Sequence, residues 1–279
     1  MHKILIPTEL TYLSKCALQL GVELAELAEA SIEVLSAIAT NESVYMEGGE
    51  RYHDAPQSSI KNISLTESAR AKMHQRVEEI ASIAPELELT PKILFGDRSN
   101  ILIEEVANQH IDLVIMGGDL YNPADKEANK FLKAVEVPVL VLKCMISGLS
   151  KFKDIIFLVD ANNDSSQLVK NLKVLQQLLT AKIHLLHVKT PKRGFLPLEK
   201  EAEPLEQYAE RNGFENVVLV EKEAKTEIEG LREYCETIQD AFVALGIHER
   251  SFLQSLISGD KNYGEIIANS IHPLWLFRN

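Results

Sequence analysis

The stretch GIHERSFLQSLISGD, Gly246 to Asp260, sets Gly246 and Gly259 between a strand-like run and a helix-like one. A glycine lets the backbone approach a phosphate with no Cβ in the way. A helix starting near Asp260 or Lys261 would aim its free N–H groups at the same anion. Asp260 and Glu249 bring negative charge into that loop, and Arg250 and Lys261 offset it in part. Asp260 serves more naturally as a cap for its own helix. Asp160 closes the run DIIFLVD, where a carboxylate could hydrogen-bond a ribose or a base, or cap the next helix. Glu9, one methylene longer, holds the matching place in the first half. Pro7, Gly117 and Val188 stand at other strand ends, where open parallel sheets receive ligands.

Other chemistries lack a signature. The chain has no G-x-S-x-G elbow, no Cys-x-x-Cys pair and no G-x-x-x-x-G-K-[ST] loop. His184 and His187 fall on opposite faces of a strand, so they form no local metal pair. Cys16, Cys144 and Cys235 are odd in number and far apart, which suits small structural thiols in a reducing cytoplasm. A net charge of -12 disfavours nucleic acid and anionic membrane as partners. No apolar stretch is long enough to span a bilayer. Met1-His2-Lys3 runs straight into ILIP, so no secretory leader is expected.

The elements that must position these residues are written twice. KILIP, IEVLSAIA, PKILF, LVIMG and VPVLVLK read as five strands with helical stretches between, at 14–30, 64–83 and 101–109. DIIFLVD, KIHLLHVK, NVVLVE, DAFVALG and HPLWLF repeat the series, with helices at 167–179, 199–212 and 228–237. Pro138 and Pro273 open the two fifth strands, a place where a strand need not donate to its ladder. The polar stretch 40–59 reads as a loop or partly ordered excursion, and LEKEAEPLEQYAER as a solvated amphipathic helix with an early proline interruption. Strands alternating with helices give an α/β chain of two parallel sheets, as domains 1–146 and 151–279. The short linker ISGLS suggests that they pack together. The bulky fifth strands need cover, by pairing between the halves or between chains.

This pattern resembles the universal stress protein family in its tandem two-domain form. The likeness rests on KILIPTEL, on GDRSNILIEEVANQHIDLVIMG before VPVLVLK, and on DIIFLVDANNDS before ALGIHERSFLQSLISGD. It implies two Rossmann-like open parallel five-stranded sheets in tandem, and dimerisation through the last strand. Many members of that family bind ATP or AMP; others do not. The binders share glycine, two residues, glycine, nine residues, then glycine and a serine or threonine. Here Gly246 and Gly259 keep the spacing, but Glu249 replaces the second glycine and Asp260 the hydroxyl. The first half keeps Gly117, with Leu120, Lys130 and Phe131 at the other positions. The family's base-and-ribose aspartate falls on Asp160, and on Glu9 in the first half.

The expectation is a non-catalytic stress-response protein acting through dimerisation and partner or small-ligand binding. One alternative is an adenine-nucleotide sensor, with ATP or AMP and magnesium in the second half. Another is a weak nucleotide or phosphate-ester hydrolase, needing Asp160, Glu249 and Asp260 around a divalent ion.

Overall fold

The structure, a computed structural model, describes residues 1–8, 12–38, 56–117, 130–132, 134–142, 148–160, 164–191, 203–247 and 272–278. The first half runs β1 (Lys3–Pro7), α1 (Tyr12–Ala28), β2 (Ser31–Ile38), α2 (Pro56–Ile83), β3 (Leu89–Phe95), α3 (Arg98–Asn108), β4 (Leu113–Gly117) and β5 (Val139–Leu142). The second runs β6 (Asp154–Leu158), α4 (Ser166–Leu179), β7 (Lys182–Lys189), α5 (Leu205–Asn212), β8 (Val217–Glu223), α6 (Glu227–Cys235), β9 (Ala241–Ile247) and β10 (Leu274–Arg278). Residues 56–59, expected in a loop, belong to α2, and residues 40–55 lie outside the described residues.

The ten strands form one sheet in the order β3-β2-β1-β4-β5-β10-β9-β6-β7-β8. This corrects the expectation of two separate five-stranded sheets. Each half is parallel within itself, and the halves meet where β5 and β10 pair antiparallel, Trp275 opposite Leu140. Each fifth strand therefore has a neighbour on both sides. The cover that these strands need is supplied within the chain, which is one of the two expected alternatives. Pro138 and Pro273 begin the seam strands as acceptors: their carbonyls take the N–H of Val114 and of Val243, at 3.0 and 2.9 Å. Their missing N–H groups cost that ladder nothing.

Alternation along the strands splits the apolar side chains between two layers. Ile4, Ile6, Trp275 and Phe277 join α1, α2, α4 and α5 on one face. Leu5, Leu274 and Leu276 join α3, α6, Phe131 and Leu132 on the other. Both layers run across the seam, so the halves share their cores. The linker is tied down as well. The Leu149 N–H donates to Glu23 on α1 at 2.6 Å, and Phe152 meets Phe242 edge-on.

Helix starts follow their sequence. Asp97, Ser165 and Thr226 cap α3, α4 and α6, each side chain accepting a first-turn N–H. Glu229 reaches back to the Lys225 N–H, which closes a reciprocal cap on α6. α5 departs from expectation. It begins at Leu205, just after the interrupting Pro204 and not at residue 199, and it is amphipathic: Leu205, Tyr208 and Ala209 are buried in the core while Glu206, Gln207, Glu210 and Arg211 face solvent.

Candidate functional site

The carboxyl ends of β7, β6 and β9 lie side by side. The β6–β7 register pairs Leu158 with Leu186, two residues before Asp160 and Val188 on their strands. The β6–β9 register pairs Phe157 with Ala244, two residues before Gly246 on β9. Asp160, Val188 and Gly246 thus stand near the carboxyl ends of three adjacent strands, with β6 between the other two. The Val188 side chain is committed to packing, because Gly230 of α6 lies so close that a Cβ there would stand 2.6 Å from a Val188 methyl carbon. The first half has the same frame. Pro7 is buried at the end of β1, paired with Leu35, and Gly117 ends β4 beside Leu142. The Thr8 N–H continues the ladder to the Leu35 carbonyl at 2.8 Å, as the Val159 N–H does to Leu186 at 2.9 Å. Glu9, Glu249, Arg250, Gly259, Asp260 and Lys261 lie outside the described residues.

A polar cluster that sequence reasoning missed surrounds Asp160. The Asp164 carboxylate accepts the Asp160 N–H and the Tyr208 hydroxyl, both at 2.9 Å. The Asp164 N–H returns a bond to the Asp160 carbonyl at 2.8 Å. Arg211 lies over the Tyr208 ring and is held by Glu203 through two hydrogen bonds. Burial pushes the Asp164 carboxyl up to about 7, against the pull of its hydrogen bonds from Tyr208 and the Asp160 amide. Burial also raises Tyr208, which the Asp164 charge reinforces. The signal in the sequence was the tyrosine in LEKEAEPLEQYAER, at a position that turned out to be inward.

Two further charged clusters sit nearer the strand starts and match across the halves. Glu33, third in β2, is fully buried, with Lys3 at 2.8 Å and Lys92 at 3.2 Å; Lys92 also reaches Glu105 on α3 at 2.7 Å. Burial pushes Glu33 up, but Glu105 and the two lysines outweigh it and hold it low. His184, third in β7, takes the corresponding place, with Asp154 at 2.8 Å and the Tyr234 hydroxyl at 2.7 Å. His184 is thus committed to a structural network, and His187 lies on the other face. Cys16 is buried and Cys235 partly so, and burial raises both thiols, Cys235 to about 12. Neither is an activated nucleophile. Among the described residues no group of three or more His, Cys, Asp or Glu side chains is placed to hold a metal ion. A groove of about 570 Å³ runs between α1 and α2, with Leu18, Val22 and Ile80 in its walls beside the Lys15–Glu79–Arg76 ion pairs. It contains none of the residues selected from sequence.

The universal stress protein family profile matches residues 1–143. The chain belongs to the universal stress protein family. Solved structures extend the fold over the whole chain. A universal stress protein from Archaeoglobus fulgidus DSM 4304 superposes with a TM-score of 0.72 at 17% identity, over 99% of this chain and 98% of that one. A protein of unknown function from Pseudomonas aeruginosa PAO1 superposes with a TM-score of 0.60 at 13% identity, over 100% and 92%. No curated protein matches the chain. The fold likeness thus spans the whole chain, and no described helix is long and apolar enough to cross a membrane.

Proposed function

We propose that this universal stress protein is non-catalytic and acts by binding a small ligand or a protein partner at the strand ends of its second half. The observation that supports the reading is that Asp160 and Gly246 stand by the carboxyl ends of the adjacent parallel strands β6 and β9. The changed cradle gives the reading its direction. Glu249 and Asp260 replace a glycine and a hydroxyl residue of the family's phosphate motif. Two carboxylates oppose a phosphate in a low-dielectric pocket. The ligand is therefore not ATP held in the family's usual way. The proposed organisation is domains 1–146 and 151–279, and the proposed location is the cytoplasm.

Adenine-nucleotide sensing is the second reading. It is favoured by the family resemblance, which puts the base-and-ribose aspartate on Asp160. The hydrolase reading requires a divalent ion among Asp160, Glu249 and Asp260. Phosphate release from ATP and from p-nitrophenyl phosphate, with and without magnesium, tests the non-catalytic reading. Release at the rate of heat-denatured protein is expected. Turnover that disappears in Asp160→Ala would overturn it.

A further inference from the structure

Asp164 is joined to the strand end by a closed pair of bonds. Its carboxylate takes the Asp160 N–H, and its own N–H returns to the Asp160 carbonyl. The same carboxylate oxygen takes the Tyr208 hydroxyl, and Tyr208 is 1% exposed on α5. One oxygen atom thus links the exit of β6, the entry of α4 and the buried face of α5. We propose that Asp164 is a positioning residue that clamps Asp160 at the candidate ligand site, and that gaining or losing a proton loosens or tightens the clamp. The site role of Asp160 rests on the function proposed above; the clamp itself does not.

The physical case is the charge on the shared oxygen. An ionised carboxylate accepts both hydrogen bonds as charge-assisted contacts, which are shorter and stronger than neutral ones. A protonated carboxyl keeps one good acceptor and turns its other oxygen into a donor. Among the described residues, charged and titratable groups act on Asp164 from three places. Asp160, at the end of β6, opposes its ionisation. Tyr208 and Arg211, on α5, favour it. Glu203, ahead of α5, holds Arg211 at 2.6 Å and so fixes where that positive charge lies. Burial opposes all charge at this point and brings the titration close to neutrality, at about 7. The protein would thus sense a fall in pH through the geometry of its own strand end.

The test is amide hydrogen exchange at Asp160 in the full chain, by NMR between pH 5.5 and 8.5, with intrinsic rates divided out. For openings that break the Asp160 bond while Asp164 stays buried, protection should rise about tenfold as Asp164 ionises, the gain expected from turning a neutral hydrogen bond into a charge-assisted one. Asp164→Asn keeps an acceptor but cannot ionise, so its protection should be flat with pH. Tyr208→Phe retains the Asp160 bond and should keep the pH step, displaced to another midpoint. Protection in the parent that does not change with pH, or a step that persists in Asp164→Asn, would overturn the proposal. Adenosine and AMP titrations on the same samples separate the two readings. If neither binds while the step is present, the nucleotide reading fails and the clamp stands. If either binds while the step is absent, the clamp fails alone.

Discussion

At the scale of single residues, buried charge makes opposite demands in the two halves. Asp164 is raised to about 7, so its ionisation costs folding free energy. A carboxyl raised in the folded state stabilises below its unfolded pKa, and that contribution is lost as pH rises through the folded value. Asp164→Asn should therefore gain on the parent as pH climbs from 4 to 8, by on the order of 1–4 kcal/mol. Urea melts at pH 5 and pH 8 measure this; equal differences at both would show that Asp164 is not buried as charge. Glu33 has the reverse sign. Its pKa is lowered, so its contribution is present above the ordinary glutamate value and is lost as pH falls. Glu33→Ala leaves Lys3 and Lys92 without their buried partner and should cost about 3 kcal/mol at pH 7. A loss below 1 kcal/mol in a urea melt would place that cluster among ordinary surface pairs. None of these clusters was legible in the sequence. Tyr208 stands 44 positions from Asp164, and Tyr234 stands 50 from His184. Such contacts depend on how helices dock, which no local pattern records.

At the scale of elements the sequence is far more readable, because strands buried on both faces must be apolar throughout. LVIMG, apolar throughout, and KIHLLHVK, exposed only at its terminal lysines, are strands over the lengths expected from sequence. Their carboxyl ends follow from the same runs, which is why Asp160, Val188 and Gly246 could be chosen as strand-end residues. The helix in LEKEAEPLEQYAER was legible as amphipathic, but which residues face inward was not, because LEQYAERN is polar on average and its burial rests on a few residues. The contact between α6 and β7 offers a sharp test. Gly230→Ala adds a methyl against the β-branched Val188, on a buried strand that cannot retreat. Overpacking of this kind costs about 1–3 kcal/mol, against about 1 kcal/mol gained in helix propensity. A net loss near 1 kcal/mol is expected, and Val188→Ala in the same chain should recover part of it. Additive losses in that double-mutant cycle would mean that the two residues are not in contact.

At the scale of the whole molecule, the seam decides how the halves behave. The need of the fifth strands for cover was legible from their bulk, but the source of the cover was not. Pairing within a chain and pairing between chains place the same demands on a strand edge. The seam observed here aligns β5 and β10 antiparallel and runs both cores across the boundary. Trp275, the one tryptophan in the chain, lies at that seam with 1% exposure. Its emission should therefore change in the same urea transition as the far-ultraviolet circular dichroism. Two separated transitions would mean that the halves fold independently and the seam opens first. Trp275→Ala should cost about 3–5 kcal/mol, the range for emptying a large aromatic site.

The central claim is that the second half keeps the family's strand-end frame while its phosphate cradle has been altered away from ATP. Calorimetric titration of nucleotide-stripped protein with ATP and with AMP, with and without magnesium, tests it most directly. The account predicts no saturable heat up to millimolar nucleotide. Saturable micromolar binding that disappears in Asp160→Ala would contradict it and make the chain an adenine-nucleotide sensor.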